Sequence, residues 1–471
     1  MKVSLWNSMR SLRWVSLLVL VALLWGKPAA AQSQGPVYIV QPGDNLSLIA
    51  RTFGVTLSEL LAANGLTTNS IIQPGQELVI PGLEGVTGVL STASVGLGEN
   101  LDILSRDYQV SRQALLTLNH VANPDRIYAG ETLVITVPQG SAETSPQSLP
   151  ALNGWTFELN QGTPLLAAAA SQGVSPWSLM ITNGLASPAL QFSGQQLVAL
   201  GGSQPLRSWP WPIENVRLRD LPLVQGSTEE IYVQLAQGST LEGSLGSSIL
   251  HFVQFQGQWI ALQGISADAN TGSDPLQIQV TAQGKPLGGF AQDLLLIAGN
   301  FVTESLNVNP TLLDSEINSE ESQEMAEVAA PFTPQRYWDG LFQYPVSSHL
   351  VTAPFGARRI FNGTSPSIHS GVDFAVQMRE PVHAAAPGKV VFAGPLPICG
   401  NAAMIDHGWG VYTRYCHLSE IDVKVGDVVE VGQVIGKAGA TGRVTGANMH
   451  FEVWVNGIQV NGLEWLTVAF P

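Results

Sequence analysis

Along the N-terminal half of the chain, the apolar positions change period in a repeating order. Leu46, Ile49, Ala50 and Phe53 recur at the three- and four-residue spacing of an amphipathic helix. Gly54 predicts the end of that helix, because glycine reaches the left-handed conformation of a C-terminal cap at little cost. Thr56-Leu57-Ser58-Glu59 has the form of a capping box and predicts a second helix ending near Asn64-Gly65. Strand-like runs at 38–40 and 77–80 flank the two helices, so the unit reads strand, helix, helix, strand. Leu46, Asn64, Gly75 and Leu78 then have counterparts at identical spacings in Leu101, Asn119, Gly130 and Leu133, and again in Leu165, Asn183, Gly194 and Leu197. Gly43, Gly98 and Gly162 fall in the same register. The pattern predicts three βααβ repeats, over 36–82, 86–138 and 154–202.

From 206 to 302 the period shortens. Ile231-Tyr232-Val233-Gln234-Leu235, Trp259-Ile260-Ala261-Leu262 and Leu276-Gln277-Ile278-Gln279-Val280 are among about seven strand-like runs separated by Gly-, Ser- or Asp-rich turns. They predict a β-sandwich of immunoglobulin-like architecture. His251 has no partner motif there and reads as structural. Residues 303–336 read as an acidic linker, with Asp314, Glu316, Glu320, Glu321, Glu324 and Glu327 ahead of Arg336. Helix formers across 319–329 predict a short solvated helix. Its carboxylates lack the alternating ligands and central glycine of a calcium-binding loop.

Over 338–471 the alternation carries chemistry. On a strand, Asn448, His450 and Glu452 share one face, while Met449 and Phe451 point into the core. Tyr415 and His417 are expected to share a face of their own strand, and His369 and Asp373 stand four residues apart. Two imidazoles and a carboxylate, with a third imidazole nearby, suit a catalytic zinc with three protein ligands and one open position. His349, His383 and His407 match no such pattern and read as solvent-facing. Cys399 and Cys416, the two cysteines, flank a predicted hairpin turning at His407-Gly408-Trp409-Gly410. Bridging them would add about 3 kcal/mol in the chain-entropy account; two buried thiols are the alternative.

Composition narrows the function classes. The length of 471 residues allows three or more domains, and 12% charged residues with 48 Gly and 29 Pro suit a multidomain, mainly β protein with α+β modules. A net charge of −15 disfavours nucleic acid and anionic lipid, both of which select basic faces. Residues 1–31 have the pattern of an export signal: Lys2, Arg10 and Arg13, an apolar run over 15–25, then Ala29-Ala30-Ala31. As helix that run would rise only about 16 Å, short of a bilayer core. The mature chain is therefore expected to begin near Gln32, without a membrane span, and to be secreted, cell-wall associated or periplasmic.

The first repeat, with Gln41-Pro42-Gly43-Asp44-Asn45-Leu46 and Gln73-Pro74-Gly75-Gln76, closely resembles LysM modules. The resemblance implies binding of N-acetylglucosamine-containing glycans in a shallow groove lined by Gly43, Asp44, Asn45, Asn69, Ile71 and Ile72. The later repeats lack the Pro-Gly-Asp turn and are either further binding modules or spacers. Near the C-terminus come His369-x-x-x-Asp373, Ile405-Asp406-His407-Gly408-Trp409-Gly410 and Tyr415-Cys416-His417-Leu418-Ser419. Thr441-Gly442-Arg443-Val444-Thr445-Gly446 then leads into His450-Phe451-Glu452-Val453. In that order these motifs resemble the lysostaphin and LytM-type zinc metallopeptidases. The resemblance implies an antiparallel β domain in which His369, Asp373 and His450 hold zinc and His417 polarises the attacking water. It departs at one position, where the family closes on His-x-His and this chain has Asn448. An asparagine amide donates a hydrogen bond but exchanges no proton near neutral pH, so slower catalysis is expected. The expected function is a secreted zinc endopeptidase that cuts stem or bridge peptides of peptidoglycan and is tethered to its glycan strands by LysM repeats. The alternative is a wall-binding or regulatory protein of peptidoglycan hydrolysis, catalytically weak or inactive. Glycan cleavage needs two placed acids, and the site motifs supply only Glu452 beside Asp373.

Overall fold

A computed structural model describes residues 36–83, 86, 88–121, 127–137, 153–159, 162–183, 185, 196–205, 209, 212–282, 285–306, 315–363 and 365–471. The expected export signal lies outside them. No single helix among the described residues is long and apolar enough to cross a membrane. The chain divides into two compact units: Met1–Ala93, Leu104–Ala122 and Leu133–Gln147 make one, and Ser94–Ile103, Asn123–Thr132 and Ser148–Pro471 the other.

In the first unit, strand Val37–Ile39, helices Leu46–Thr52 and Leu57–Ala63, and strand Glu77–Val79 follow in the expected order. Asn45 starts the first helix by accepting the Leu48 N–H at 2.9 Å, and Thr56 with Glu59 closes the capping box. Ile49, Phe53, Leu60 and Leu78 fill the core between helices and strands. Asn64 ties the second helix to the closing strand: its amide donates to the Leu60 and Val79 carbonyls, both at 2.8 Å, and accepts the Val79 N–H at 2.7 Å. Asn119 makes the same three bonds with Leu115 and Val134. In the second unit Asn183 repeats them with Leu179 and Val198, between helix Pro176–Thr182 and strand Gln196–Pro205. Only a carboxamide offers donors and an acceptor in one short planar group, which gives the residue that holds register in the sequence its clamping role.

The 213–297 region of the second unit forms two antiparallel-rich sheets, one of five strands and one of four. Val216, Ile231 and Val233 from one sheet meet Leu241, Leu276, Ile278 and Leu294 from the other in a single buried cluster. This is the two-layer packing that alternation predicts. The sandwich joins the C-terminal domain through a shared core that includes Ile260, Leu262, Phe374 and Trp465.

Five elements position the site: helix α1 (Ser315–Val328) and strands β1 (Val372–Ala375), β2 (Gly400–Gly408), β3 (Val411–Ile421) and β4 (Asn448–Val455). In the large C-terminal sheet they run β1-β4-β3-β2, each antiparallel to its neighbour. The acidic segment differs from the solvated helix expected. Residues Thr303–Leu306 pair with Arg358–Phe361, and α1 docks, with Glu321, Met325 and Ala329 all buried. Glu321 and Met325 lie four residues apart on one stripe of the helix, Ala329 continues it just past the helix end, and the surrounding carboxylates obscure that stripe in the sequence. Residues 331–337 then bind the β2–β3 hairpin, with Thr333 O accepting from Trp409 N at 2.7 Å and His407 O from Tyr337 N at 2.9 Å. His407 is fully buried rather than solvent-facing, donating from Nδ1 to the Pro387 carbonyl at 2.7 Å.

Replacing Asn64 with Ala removes all three clamp bonds and leaves Val79 unpaired on both its backbone groups. The expected cost is about 1–3 kcal/mol, with loss of hydrogen-exchange protection at the Val79 amide. An unchanged exchange rate there would show that the clamp contributes nothing.

Candidate metal centre and groove

The site starts from strand register. β1 and β4 pair so that Asp373 stands directly opposite His450, and cross-strand partners share a face. His369 precedes β1 by one short turn, and its backbone is fixed by Ala357 O, which accepts its N–H at 3.0 Å. Gly371 lies between them because the chain passes too close to β4 for a side chain. A Cβ there would sit 2.5 Å from Phe451 O and 2.8 Å from His450 Nε2.

Three donor atoms converge as a result. His369 Nε2 lies 3.0 Å from His450 Nδ1, His450 Nδ1 2.8 Å from Asp373 Oδ1, and His369 Nε2 3.2 Å from the same oxygen. Each imidazole commits its other nitrogen elsewhere. His369 Nδ1 donates to the Pro354 carbonyl at 2.8 Å, and His450 Nε2 donates to Glu452 Oε1 at 3.0 Å. Carbonyls and carboxylates only accept, so both outer nitrogens carry a proton, and a cation that displaced the inner protons would meet both inner lone pairs facing the common centre. Three ligands at zinc distances of about 2.0–2.1 Å would form a triangle with edges near 3.3 Å, close to the one present. The donor set therefore fits a zinc ion.

Electrostatics couple the three groups. Burial opposes a charged Asp373, but hydrogen bonds from His369 and His450 hold its pKa far below the ordinary carboxylate value. Burial likewise opposes a charged His450, yet its bonds to Asp373 and Glu452 raise its pKa to about 9. Asp373 Oδ2 faces Arg359 Nη2 at 3.3 Å, so only Oδ1 points at the imidazoles.

His417 enters by a route that simple alternation misses. Leu418 pairs with Asn401 and Tyr415 with Ala403, which leaves Cys416 and His417 together opposite one residue, a bulge with His417 at φ +61°. Tyr415 and His417 do not share a face. Tyr415 sits in the core, its hydroxyl accepting the Ala385 N–H at 2.8 Å, while His417 turns into the groove 5.9 Å from the His450 ring. His417 Nδ1 donates to Thr441 O at 2.8 Å, leaving Nε2 as its basic nitrogen. Burial pushes its pKa down to about 4. Asn448 opens β4 and lines the same groove, which also includes Arg359, Phe361 and Arg443. Cys399 and Cys416 form a disulfide with Cα atoms 5.0 Å apart. It borders the groove instead of lying behind the strand, because Cys416 is in register with His450.

Three participants escaped the sequence reading, and all three gather around Glu452. Glu452, fully buried, accepts from His450, Ser370, Arg414 and Trp454. Arg414 is its cross-strand partner, Ser370 caps it from the β1 side, and Glu321 reaches in from α1. Glu452 was visible on the face of His450; the others required the register.

In the first unit, Gly43 is exposed at φ +93° and Ile71 is 87% exposed, while Ile72 is half-buried against the core. Asp44 accepts from Tyr38 OH and Gln41 N, both at 2.7 Å, and Asn45 is the helix cap, so both side chains shape the loop. Asn69 is exposed. The corresponding loop of the second repeat belongs to the second unit, where Gly98 N donates to Gln292 at 2.7 Å.

Comparison with known proteins agrees with this geometry. Residues 367–462 match peptidase family M23, and 38–81 and 94–136 match the LysM domain. Over 124 residues the chain is 42% identical to peptidoglycan DD-endopeptidase ShyA of Vibrio cholerae, covering 26% of this chain and 29% of that one. It is 40% identical over 127 residues to DD-carboxypeptidase/endopeptidase Mpg of Neisseria meningitidis, covering 27% and 29%. Lysostaphin of Staphylococcus staphylolyticus is 43% identical over 96 residues, covering 20% of each chain. The chain thus spans less than a third of the length of each of these relatives.

Because its pKa is depressed, His417 should stay neutral and show no titration between about pH 6 and 8 in metal-free protein. Two-dimensional NMR of the imidazole nitrogens checks this; a midpoint near ~6.5, the ordinary value, would contradict the burial. With the register, the converging donors and these matches together, the chain joins LysM domains to a C-terminal M23 peptidase domain of the lysostaphin and LytM type.

Proposed function

We propose that this protein is an exported zinc endopeptidase that cuts peptide cross-links of peptidoglycan and is held to the wall glycan by its LysM domains. The observation that carries the reading is the triad of His369, Asp373 and His450, with both outer imidazole protons already committed. A zinc ion bound there would make a hydroxide-like water available near neutral pH. His417 presents Nε2 to the groove as the group that would take a proton from an attacking water, its ring held by Thr441 O. Asn448 donates its amide hydrogen bond to the oxyanion that develops at the scissile carbonyl. Arg359 holds the Asp373 carboxylate in place from the side away from the imidazoles.

The LysM groove at Gly43, Asn69 and Ile71 takes the glycan strand. Asp44, Asn45 and Ile72 line it too, the first two also shaping its loop, and the second repeat acts as a spacer because its loop is engaged by Gln292. The third βααβ unit shares the asparagine clamp and is assigned as a divergent LysM module. The two-sheet domain over 213–297 is assigned an immunoglobulin-like architecture. Residues 1–31 are assigned as the export signal, which supports a periplasmic or wall-associated location.

Purified full-length protein should carry about one zinc, and His450→Ala should carry far less. Digestion of purified peptidoglycan followed by mass analysis should reveal cross-link cleavage. Equal zinc in both proteins would defeat the metal assignment, and intact cross-links would defeat the endopeptidase reading in favour of a wall-binding regulator.

Asn448→His supplies a second proton-exchanging group beside the open position. Losing such a group typically costs about 10²–10⁴ in rate, part of which a hydrogen-bonding amide retains. The variant should therefore turn over about tenfold faster or more, at unchanged zinc content. A slower variant would mean that the site is built around the amide.

A further inference from the structure

Outside the stretch that matches family M23, one side chain reaches the metal centre by two separate chains of contacts. Glu321 lies in the middle of α1, is buried, and accepts from the Ile398 N–H at 2.6 Å and the Cys399 N–H at 3.1 Å. Cys399 in turn accepts the His417 N–H on its carbonyl at 2.7 Å. That bond ties down the bulged residue, whose positive φ is a conformation few non-glycine residues hold unaided. The disulfide to Cys416 closes the same loop.

The second route is ionic. Glu321 Oε1 lies 3.8 Å from Arg414 Nη1, a nitrogen that has no hydrogen-bond partner among the described residues. Arg414 binds Glu452 with two nitrogens, Nε to Oε2 at 2.8 Å and Nη2 to Oε1 at 2.6 Å. Glu452 Oε1 receives the His450 Nε2 proton. Four groups that are each nine-tenths or more buried are thus strung from the helix to the ligand. Arg414 is held from both sides, and removing Glu321 would leave its Nη1 and the 398–399 amides without their buried partner.

We propose that Glu321 is a positioning residue of the metal centre, fixing the His450 imidazole through Arg414 and Glu452 and the His417 backbone through the 398–399 turn. The proposal rests on the zinc reading for its consequence, but its geometry does not need the ion. It gives the acidic segment a task beyond joining domains: α1 is part of the active-site wall, and a chain beginning at 338 lacks it. Met325 and Ala329, the other buried residues of the stripe, pack against apolar neighbours and hold the helix down.

The test uses full-length protein with Glu321→Ala and Glu321→Gln. Zinc affinity is measured by chelator competition on the folded fraction. The ring nitrogens of His417 and His450 are followed by NMR in metal-free samples. Loss of an outer partner of a metal ligand typically costs about 10–100-fold in affinity, so Glu321→Ala should fall in that range. Glu321→Gln keeps an acceptor for the 398–399 amides and should fold even if the alanine variant does not. Without the charge beside Arg414, its affinity should drop by about tenfold, at the lower end of the range. Both variants should shift the His417 and His450 ring signals. A purely structural role predicts lower thermal stability with zinc affinity within about twofold of wild type and unmoved ring signals, and that result overturns the proposal. If the wild type binds no zinc, the metal reading fails by itself, and the metal-free ring signals still decide the positioning role.

Discussion

The opposition of Asp373 and His450 across two antiparallel strands is the constraint on which the site depends. Side chains alternate along a strand, so a slip of one residue between β1 and β4 would turn one donor into the core and destroy the triad. The register is held from both sides. Met449 and Phe451 alternate with the polar face and are fully buried, and Gly371 permits an approach that any Cβ would block. Apolar burial on one face of β4 thereby fixes the chemistry on the other.

The bulge at Cys416 and His417 solves a second geometric problem. A regular β3 would place Cys416 on the face of His450 and turn the next residue away from it. Inserting one extra residue brings both to the groove, where the disulfide and the imidazole line the same wall as His450. The conformation is held by neighbours: Cys399 O takes the His417 N–H and Thr441 O takes the ring proton. Both the backbone and the ring of His417 are thus tied to neighbouring carbonyls. The polar interior of the groove is almost wholly paired, with Glu452 accepting bonds from four side chains.

The repeats rest on a different economy of contacts. Each βααβ unit is too small to bury much apolar surface, and each uses one asparagine to tie its second helix to its last strand. The clamp persists where the surface loops diverge, so the fold is kept while the groove residues change.

The sequence by itself carried the spacing of the repeats, the helix caps of the first, and the alternation of the middle strands and of β4, all signals that act within one element or between adjacent ones. The grouping of His369, Asp373 and His450 was implied by the resemblance of their motifs to a known family, and the pairing of Cys399 with Cys416 stood beside free thiols as an alternative. Tertiary structure alone decided what lies next to what across long separations. The pairing of Arg414 with Glu452 depends on strand register, and the inward turn of His417 depends on a bulge that leaves no mark in composition. His407 looked like a turn residue and is buried because 331–337 folds over it. The docking of α1 was hidden for a physical reason. Its stripe of Glu321, Met325 and Ala329 is too short and too polar to stand out, and Glu321 is stable there only because the 398–399 amides and Arg414 are waiting for it.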